Sequence, residues 1–469
     1  MCKSPESCPG VPGRRYTLRM NLLGSWLGCW RLLLLVLGLF LVAETCVMRA
    51  AHGQSSTATG SDATSPSAAQ NSGASYHLSP EKYEKAVAYS RAGYRLYFLS
   101  VFWEIALILL LLRFGFIARL RDFVEARTTR RPLQAAIFVP ALLGVLAVCH
   151  LPIRMYWHHL SLFYQQSIQP WGSWFWDWTK GELLTISLAL LVVILMFATI
   201  RAKPRSWWLY AWFGAIPLSL FLVFIAPWYI DPLFNKFQPL QETHPQLVES
   251  IGELSMRAGI PIPAERMFLM EASAKTNAIN AYVTGIGASK RIVIWDTSIR
   301  KTKPEELLFI VGHEMGHYVL GHVVKGFAYF LGLLFVAMFI AYRLLQWAIA
   351  RWGGAWGVRG QSDWAALGVL LLIFNVLSFF GEPVGNAISR MQEHAADVYG
   401  LQLIQGFIPD ANEVAAHSFQ VLGEEDLADP NPSKFITFWL YSHPPLNDRL
   451  RFAHDFPNPS KVHTQPTTQ

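Results

Sequence analysis

Six apolar stretches, each of about 20 residues, constrain this chain more than any other feature, because each is long enough to cross a bilayer as a helix. They run over residues 97–117, 133–152, 182–200, 207–228, 327–349 and 364–384. A single stretch of this kind can be a buried helix in a large soluble protein, but six together point to a membrane protein. Trp207, Trp208, Trp228 and Tyr229 cluster at span ends, as interfacial aromatics do. Hydrophobic residues make up 52% of the chain and charged residues 15%, which leaves little polar surface for a soluble globule. The expected fold class is mainly α: a polytopic membrane helix bundle with a small α+β domain inserted between spans.

The segments between spans divide the chain further. Residues 78–228 form a region with four expected spans, and 326–386 hold two more. Residues 229–325 read as a soluble insertion. Leu247, Ile251 and Leu254 recur at helical spacing, so a helix is expected over 246–258. Short strands are expected over 266–270, 281–284 and 291–295. A second soluble part covers 387–456, and 457–469 read as a disordered tail. At the other end, Arg14, Arg15, Arg19 and Arg31 precede the apolar run 32–43, and small residues follow at Ala51-His52-Gly53. Residues 1–53 therefore read as a signal peptide or a signal anchor. Residues 54–77, rich in Ser, Ala and Thr, read as a disordered linker.

The chemistry sits in Val311-Gly312-His313-Glu314-Met315-Gly316-His317. Two imidazoles four residues apart share a helical face, the arrangement one zinc ion needs from two side chains. Glu314 can reach a water at the metal without ligating the metal itself. Pro304 suits a first helical position, and Glu305 and Glu306 suit the first turn. A third ligand is required. His322, nine residues after His313, is expected on the opposite face of a continuous helix. Val323 and Leu320 stand where a metzincin pattern needs His and Gly. All five cysteines lie upstream of residue 150. A further candidate is the segment Ser389-Arg390-Met391-Gln392-Glu393-His394-Ala395-Ala396-Asp397. There Glu393 can ligate the metal, and Asp397, one turn on, can accept the other ring N–H of a ligating histidine. His394 points about 100° away, toward the surface or the surroundings of the site.

These residues carry a family resemblance. The zinc motif, followed by Ser-Arg-x-x-Glu-x-x-x-Asp across a pair of spans, resembles the type I CAAX prenyl endopeptidases and their bacterial HtpX-like relatives, which are membrane gluzincin proteases. Asp231-Pro232-Leu233-Phe234-Asn235-Lys236-Phe237, Asn280-Ala281-Tyr282, Arg291 through Thr297 and Ser442-His443-Pro444-Pro445-Leu446 resemble further motifs of that family, in the same order. The resemblance runs from about Tyr94 to Phe456. It implies a metalloendopeptidase with one zinc per chain on His313, His317 and Glu393. Glu314 would be the general base and His443 a donor to the oxyanion, with Arg390 and Asp397 supporting the ligands. Asn277, Asn280, Ala281 and Tyr282 are the candidate edge along which an extended substrate is held.

The expected partners are a polypeptide substrate and the lipid bilayer. Basic residues, though in excess by a net charge of +7, are scattered between spans, so no nucleic-acid surface is expected. Residues 119–131 carry five arginines and two acids, and 201–205 are also basic. The positive-inside rule puts both in the cytoplasm and the zinc helix on the outer side of a bacterial inner membrane. The resemblance implies the cytosolic side for eukaryotic members. Glu104 and Arg113 fall within the first span and Glu382 near the end of the last. Such charges face protein or a water-filled chamber rather than lipid. Two substrate classes follow: hydrophobic or misfolded membrane polypeptides, or prenylated proteins. A transporter or scaffold with a structural metal is the non-enzymatic alternative, and Glu314 argues against it.

Overall fold

The structure is a computed structural model that describes residues 75–285 and 290–457. The expected signal segment, nearly all of the linker and the tail lie outside the described residues. Among the described residues, five helices are long and apolar enough to cross a membrane: α1 (Pro80–Arg113), α3 (Arg131–Phe163), α4 (Trp171–Ala202), α8 (His322–Trp356) and α9 (Ala366–Ile404). The stretch expected as the fourth span lies in α5 (Trp207–Tyr229), a shorter apolar helix of 23 residues. The basic segment 119–131 is not wholly loop, because most of it forms the helix α2 (Phe116–Arg127). Pro140 and Pro152 fall inside α3 and Pro383 inside α9, where each removes a helical N–H.

Charge holds one end of the bundle together. Arg121 of α2 is 4% exposed at its side chain and pairs with Asp363, itself 5% exposed. It also donates to the carbonyl of Gly357 at 2.8 Å. Arg359 reaches Asp122 at 2.6 Å and Glu125 at 2.7 Å, and Gln361 donates to the Pro204 carbonyl at 2.9 Å. The three basic connections, after α1, after α4 and after α8, therefore share one end. Deeper in the bundle, Glu104 lies 3.3 Å from Nδ1 of His150. That pair borders a cavity of about 350 Å³ among α1, α3, α4 and α9. Glu382 accepts a hydrogen bond from Tyr97. Arg113 stands in the last turn of α1, and its side chain is exposed.

The inserted domain packs at the opposite end. Its helix α6 (Pro245–Arg257) falls where hydrophobic spacing predicts one, and buries Val248, Ile251 and Leu254. Four strands form a sheet in the order β1-β2-β4-β3: β1 (Phe237–Pro239), β2 (Met267–Met270), β3 (Ala281–Thr284) and β4 (Arg291–Trp295). Strands β2 and β4 are parallel, and the two outer pairs are antiparallel. The three-residue β1 has no readable alternation, so sequence pattern misses it. The sheet packs on α7 (Pro304–Val319), which carries the zinc motif. Pro304 opens α7, and the Lys303 N–H donates to Glu306 Oε2 at 3.0 Å as an N-terminal cap. The helices α10 (Ala411–Glu425), α11 (Lys434–Leu440) and α12 (Leu446–Asp455) complete this end.

Candidate active site

Close packing of α7 on α9 brings the motif residues together. A Cβ on Gly400 would stand 2.9 Å from the backbone N of His313, and one on Gly316 would stand 3.3 Å from the Cα of Ala396. Gly312, Gly316, Ala396 and Gly400 thus let two backbones approach until residue 393 faces residues 313 and 317. Nε2 of His313 and Nε2 of His317 are 3.1 Å apart. Glu393 Oε2 lies 3.2 Å from the former, and Oε1 lies 3.5 Å from the latter. The three ligand atoms fall within 4.8 Å of one another.

The donor set fits a metal ion. Glu393 Oε2 is buried and accepts no well-aligned hydrogen bond, although imidazole nitrogens of His313 and His443 lie 3.2 and 3.3 Å away. A buried carboxylate oxygen left in that state is costly unless a cation completes it. Two imidazoles and one carboxylate are the donor set of a catalytic zinc site.

The surroundings hold these three side chains in place. Nδ1 of His313 faces Asp397 Oδ1 at 2.8 Å. Asp397 is fully buried and is gripped by Arg449 in a two-point pair, Nε to Oδ2 at 2.9 Å and Nη2 to Oδ1 at 2.6 Å. The guanidinium of Arg449 in turn lies 4.2 Å over the ring of Phe419. His317 has a partner that the sequence reading placed elsewhere. The helix breaks at Leu320 and at Gly321, whose φ is +68°, so His322 opens α8 and turns back. Its Nδ1 comes to 3.1 Å from Nδ1 of His317. The expectation that His322 lies on the opposite face assumed a continuous helix and is corrected here.

Other candidates take distinct positions. Nε2 of His443 is 3.3 Å from Glu393 Oε2, and Ser442 Oγ is 2.9 Å from its Nδ1. The His443 side chain is 56% exposed, so its imidazole is reachable from the cavity. Arg390 touches no ligand. Its Nη1 donates to the carbonyls of Thr437 at 3.1 Å and Tyr441 at 2.5 Å, which fixes the turn that carries His443. Glu314 lines the same cavity as His313 and His443, and burial pushes its carboxyl up while His313 and His317 oppose the shift. His394 packs edge-on against Phe452.

The proposed substrate edge divides in two. Among the described residues, strand β3 pairs on one side only, with β4. The Asn280 carbonyl accepts from Trp295 N–H at 3.2 Å. In an antiparallel ladder, bonded and non-bonded pairs alternate, so Ala281 and Val283 direct their backbone groups outward. Asn280 lines the cavity. Asn277 lies before the strand and is tied to the carbonyl of Gln165 through its side chain at 2.7 Å. The Tyr282 side chain packs with Phe237, Phe268 and Trp295 on the sheet face opposite Ala281. Sequence reasoning also missed Arg449, whose partner is 52 residues away along the chain.

Comparison with known proteins matches both halves of this arrangement. Residues 241–456 match the model of peptidase family M48, and residues 67–236 match the CAAX prenyl protease N-terminal model, described as five membrane helices. An uncharacterized metalloprotease of Bacillus subtilis, YhfN, is 37% identical over 376 residues, which is 80% of this chain and 86% of that protein. The chain belongs to peptidase family M48. A CAAX prenyl protease 1 homolog of Arabidopsis thaliana is 28% identical over 80% of this chain and 88% of its own length. The crystal structure of S. mikatae Ste24p shares the fold, with a TM-score of 0.70 and 23% identity over 81% of this chain and 90% of that one. This M48 chain is a multi-pass membrane metalloprotease acting on polypeptide in a lipid environment.

Proposed function

We propose that the chain is a zinc endopeptidase whose metal is held by His313, His317 and Glu393. The observation that carries this reading is the convergence of those three donors around a buried, unsatisfied Glu393 oxygen. Bound zinc supplies Lewis acidity toward water and the scissile carbonyl. Glu314 takes the proton from the attacking water and returns it to the leaving amine. His443 donates to the oxyanion that develops on the scissile carbonyl. Asp397 and His322 fix the rings of His313 and His317 through the nitrogens that do not face the metal. The substrate backbone pairs with the outward groups of Ala281 and Val283, beside Asn280.

The catalytic end lies outside the cytoplasm in this proposal. Helix α8 has 35 residues and runs about 50 Å from the zinc end to the basic connections, so the two lie at opposite ends of the bundle. Positive-inside bias assigns the basic end to the cytoplasm. A second argument agrees. Tyr76, just before α1, donates its N–H to Asn447 Oδ1 at 2.8 Å, so α1 starts at the catalytic end. A signal peptide or anchor in residues 1–53 would deliver that start outward. This arrangement favours membrane-associated, hydrophobic or misfolded polypeptides of a bacterial inner membrane over prenylated cytosolic proteins. The names of the eukaryotic relatives support CAAX processing as the second reading.

Two measurements test these claims. Detergent-purified wild type should cleave unprenylated peptides at least as well as farnesylated ones, and Glu314→Gln should cleave neither. A strict requirement for the farnesyl group would favour the second reading. In intact cells, a cysteine placed on the exposed Met256 of α6 should react with a membrane-impermeant maleimide, and reaction only after lysis would reverse the orientation.

A further inference from the structure

The cavity at the metal, about 490 Å³, has an acidic wall that the chemistry above does not use. Helix α10 ends at Glu425, and the chain then turns through Asp426, Leu427, Ala428 and Asp429. Leu427 takes φ +49°, a left-handed conformation uncommon for a branched side chain. Its carbonyl is held by Ser90 of α1 at 3.2 Å. The turn presents two carboxylates to the cavity that also contains His313, Glu314 and His443.

The cations at that cavity are already committed. Arg449 is bound at two points by Asp397. Lys301, behind the turn, reaches Glu425 Oε2 at 2.5 Å and the carbonyl of Asn277 at 2.6 Å. Asp429 accepts from Tyr94 at 3.3 Å and from the Asn431 N–H at 3.0 Å. Among the described residues, the Asp426 carboxyl accepts no hydrogen bond and meets no cation at ion-pair distance. It is exposed to the cavity, with Asp429 beside it, so the wall presents uncompensated negative charge to whatever lies there.

The position of this wall identifies the partner. Lys301 ties Glu425 to Asn277, so the turn stands at the end of the cavity where the chain enters β3 through Asn280. A peptide lying along the outer edge of β3 passes this wall. We propose that Asp426, with Asp429 beside it, forms a subsite of the cleavage cavity that receives a Lys or Arg side chain of the substrate. This rests on the endopeptidase reading above. The long alkyl stem of either side chain can lie along Ile279 and Leu422 while its head reaches the carboxylates. The same wall repels a free C-terminal carboxylate and so favours internal cleavage.

A positional peptide library, with one residue varied at a time around a cut site, tests this on detergent-purified, zinc-loaded full-length protein. Wild type should favour Lys and Arg over Gln at one fixed position by roughly two- to five-fold in kcat/KM, the scale of a solvent-exposed charge pair. Asp426→Asn should bring that ratio close to one, and Asp426→Arg should turn the preference toward Glu at the same position. Cleavage without a basic preference at any position would overturn the proposal, as would a preference that survives in Asp426→Asn. Failure of wild type to cleave any peptide would instead remove the endopeptidase reading itself, and this subsite with it.

Discussion

Both ends of the helix bundle bury ions, yet they do so to different effect. At the basic end, Arg121 meets Asp363, Asp122 and the Gly357 carbonyl, so each charge of this buried cluster finds a counterpart. At the catalytic end, Arg449 grips Asp397, which faces His313 at 2.8 Å, but beyond it neither His313 Nδ1 nor Glu393 Oε2 makes a well-aligned hydrogen bond. A satisfied buried network fixes architecture, whereas one that stops short leaves a place for a ligand. Burial alone does not separate the two ends, because Arg121 and Asp397 are both nearly inaccessible.

Substitutions sharpen that contrast, beginning with the largest effect. Glu314→Gln should lower kcat by about 10²–10⁴-fold, the usual contribution of a general base, and leave zinc content intact. Next comes His443→Ala, with kcat reduced about 10²–10³-fold and zinc again unchanged. A loss of zinc in that variant would make His443 a ligand rather than a donor. Asp397→Asn should weaken zinc binding by roughly 10–100-fold, read by competition with a chelator. The smallest effect on turnover belongs to the other end. Arg121→Ala should cost about 3–5 kcal/mol of stability by stranding Asp363, while kcat per folded molecule stays at the wild-type value. If that variant lost activity without losing stability, the division between the two ends would break down.

A salt series adds a finer test. Asp426 is exposed, so the Lys-over-Gln ratio should shrink as ionic strength rises and the charge pair is screened.

The sequence reading succeeds where periodicity or fixed spacing carries the information. The apolar stretches, helix α6 and the zinc-motif helix α7 repeat on scales that packing requires, and they read directly from residue order. Glu393 and Asp397 share a face for the same reason. The reading fails where a local break redirects the chain. His322 turns back on His317 because Gly321 takes positive φ, and a Leu-Gly pair inside an apolar pattern does not announce that reversal. Arg449 and Arg121 are invisible for another reason, since their partners lie 52 and 242 residues away and no local pattern joins them. Asn277 belongs to the motif region by position, yet its side chain is spent on Gln165, outside the edge it is expected to form.

The most direct test of the account is metal content by mass spectrometry on purified wild type, Glu314→Gln and Glu393→Ala, after dialysis against a weak chelator. One zinc per chain in wild type and Glu314→Gln, with loss in Glu393→Ala, is the result predicted here. Full zinc in Glu393→Ala, or its loss in Glu314→Gln, would contradict the assignment of His313, His317 and Glu393 as the ligands and of Glu314 as the base.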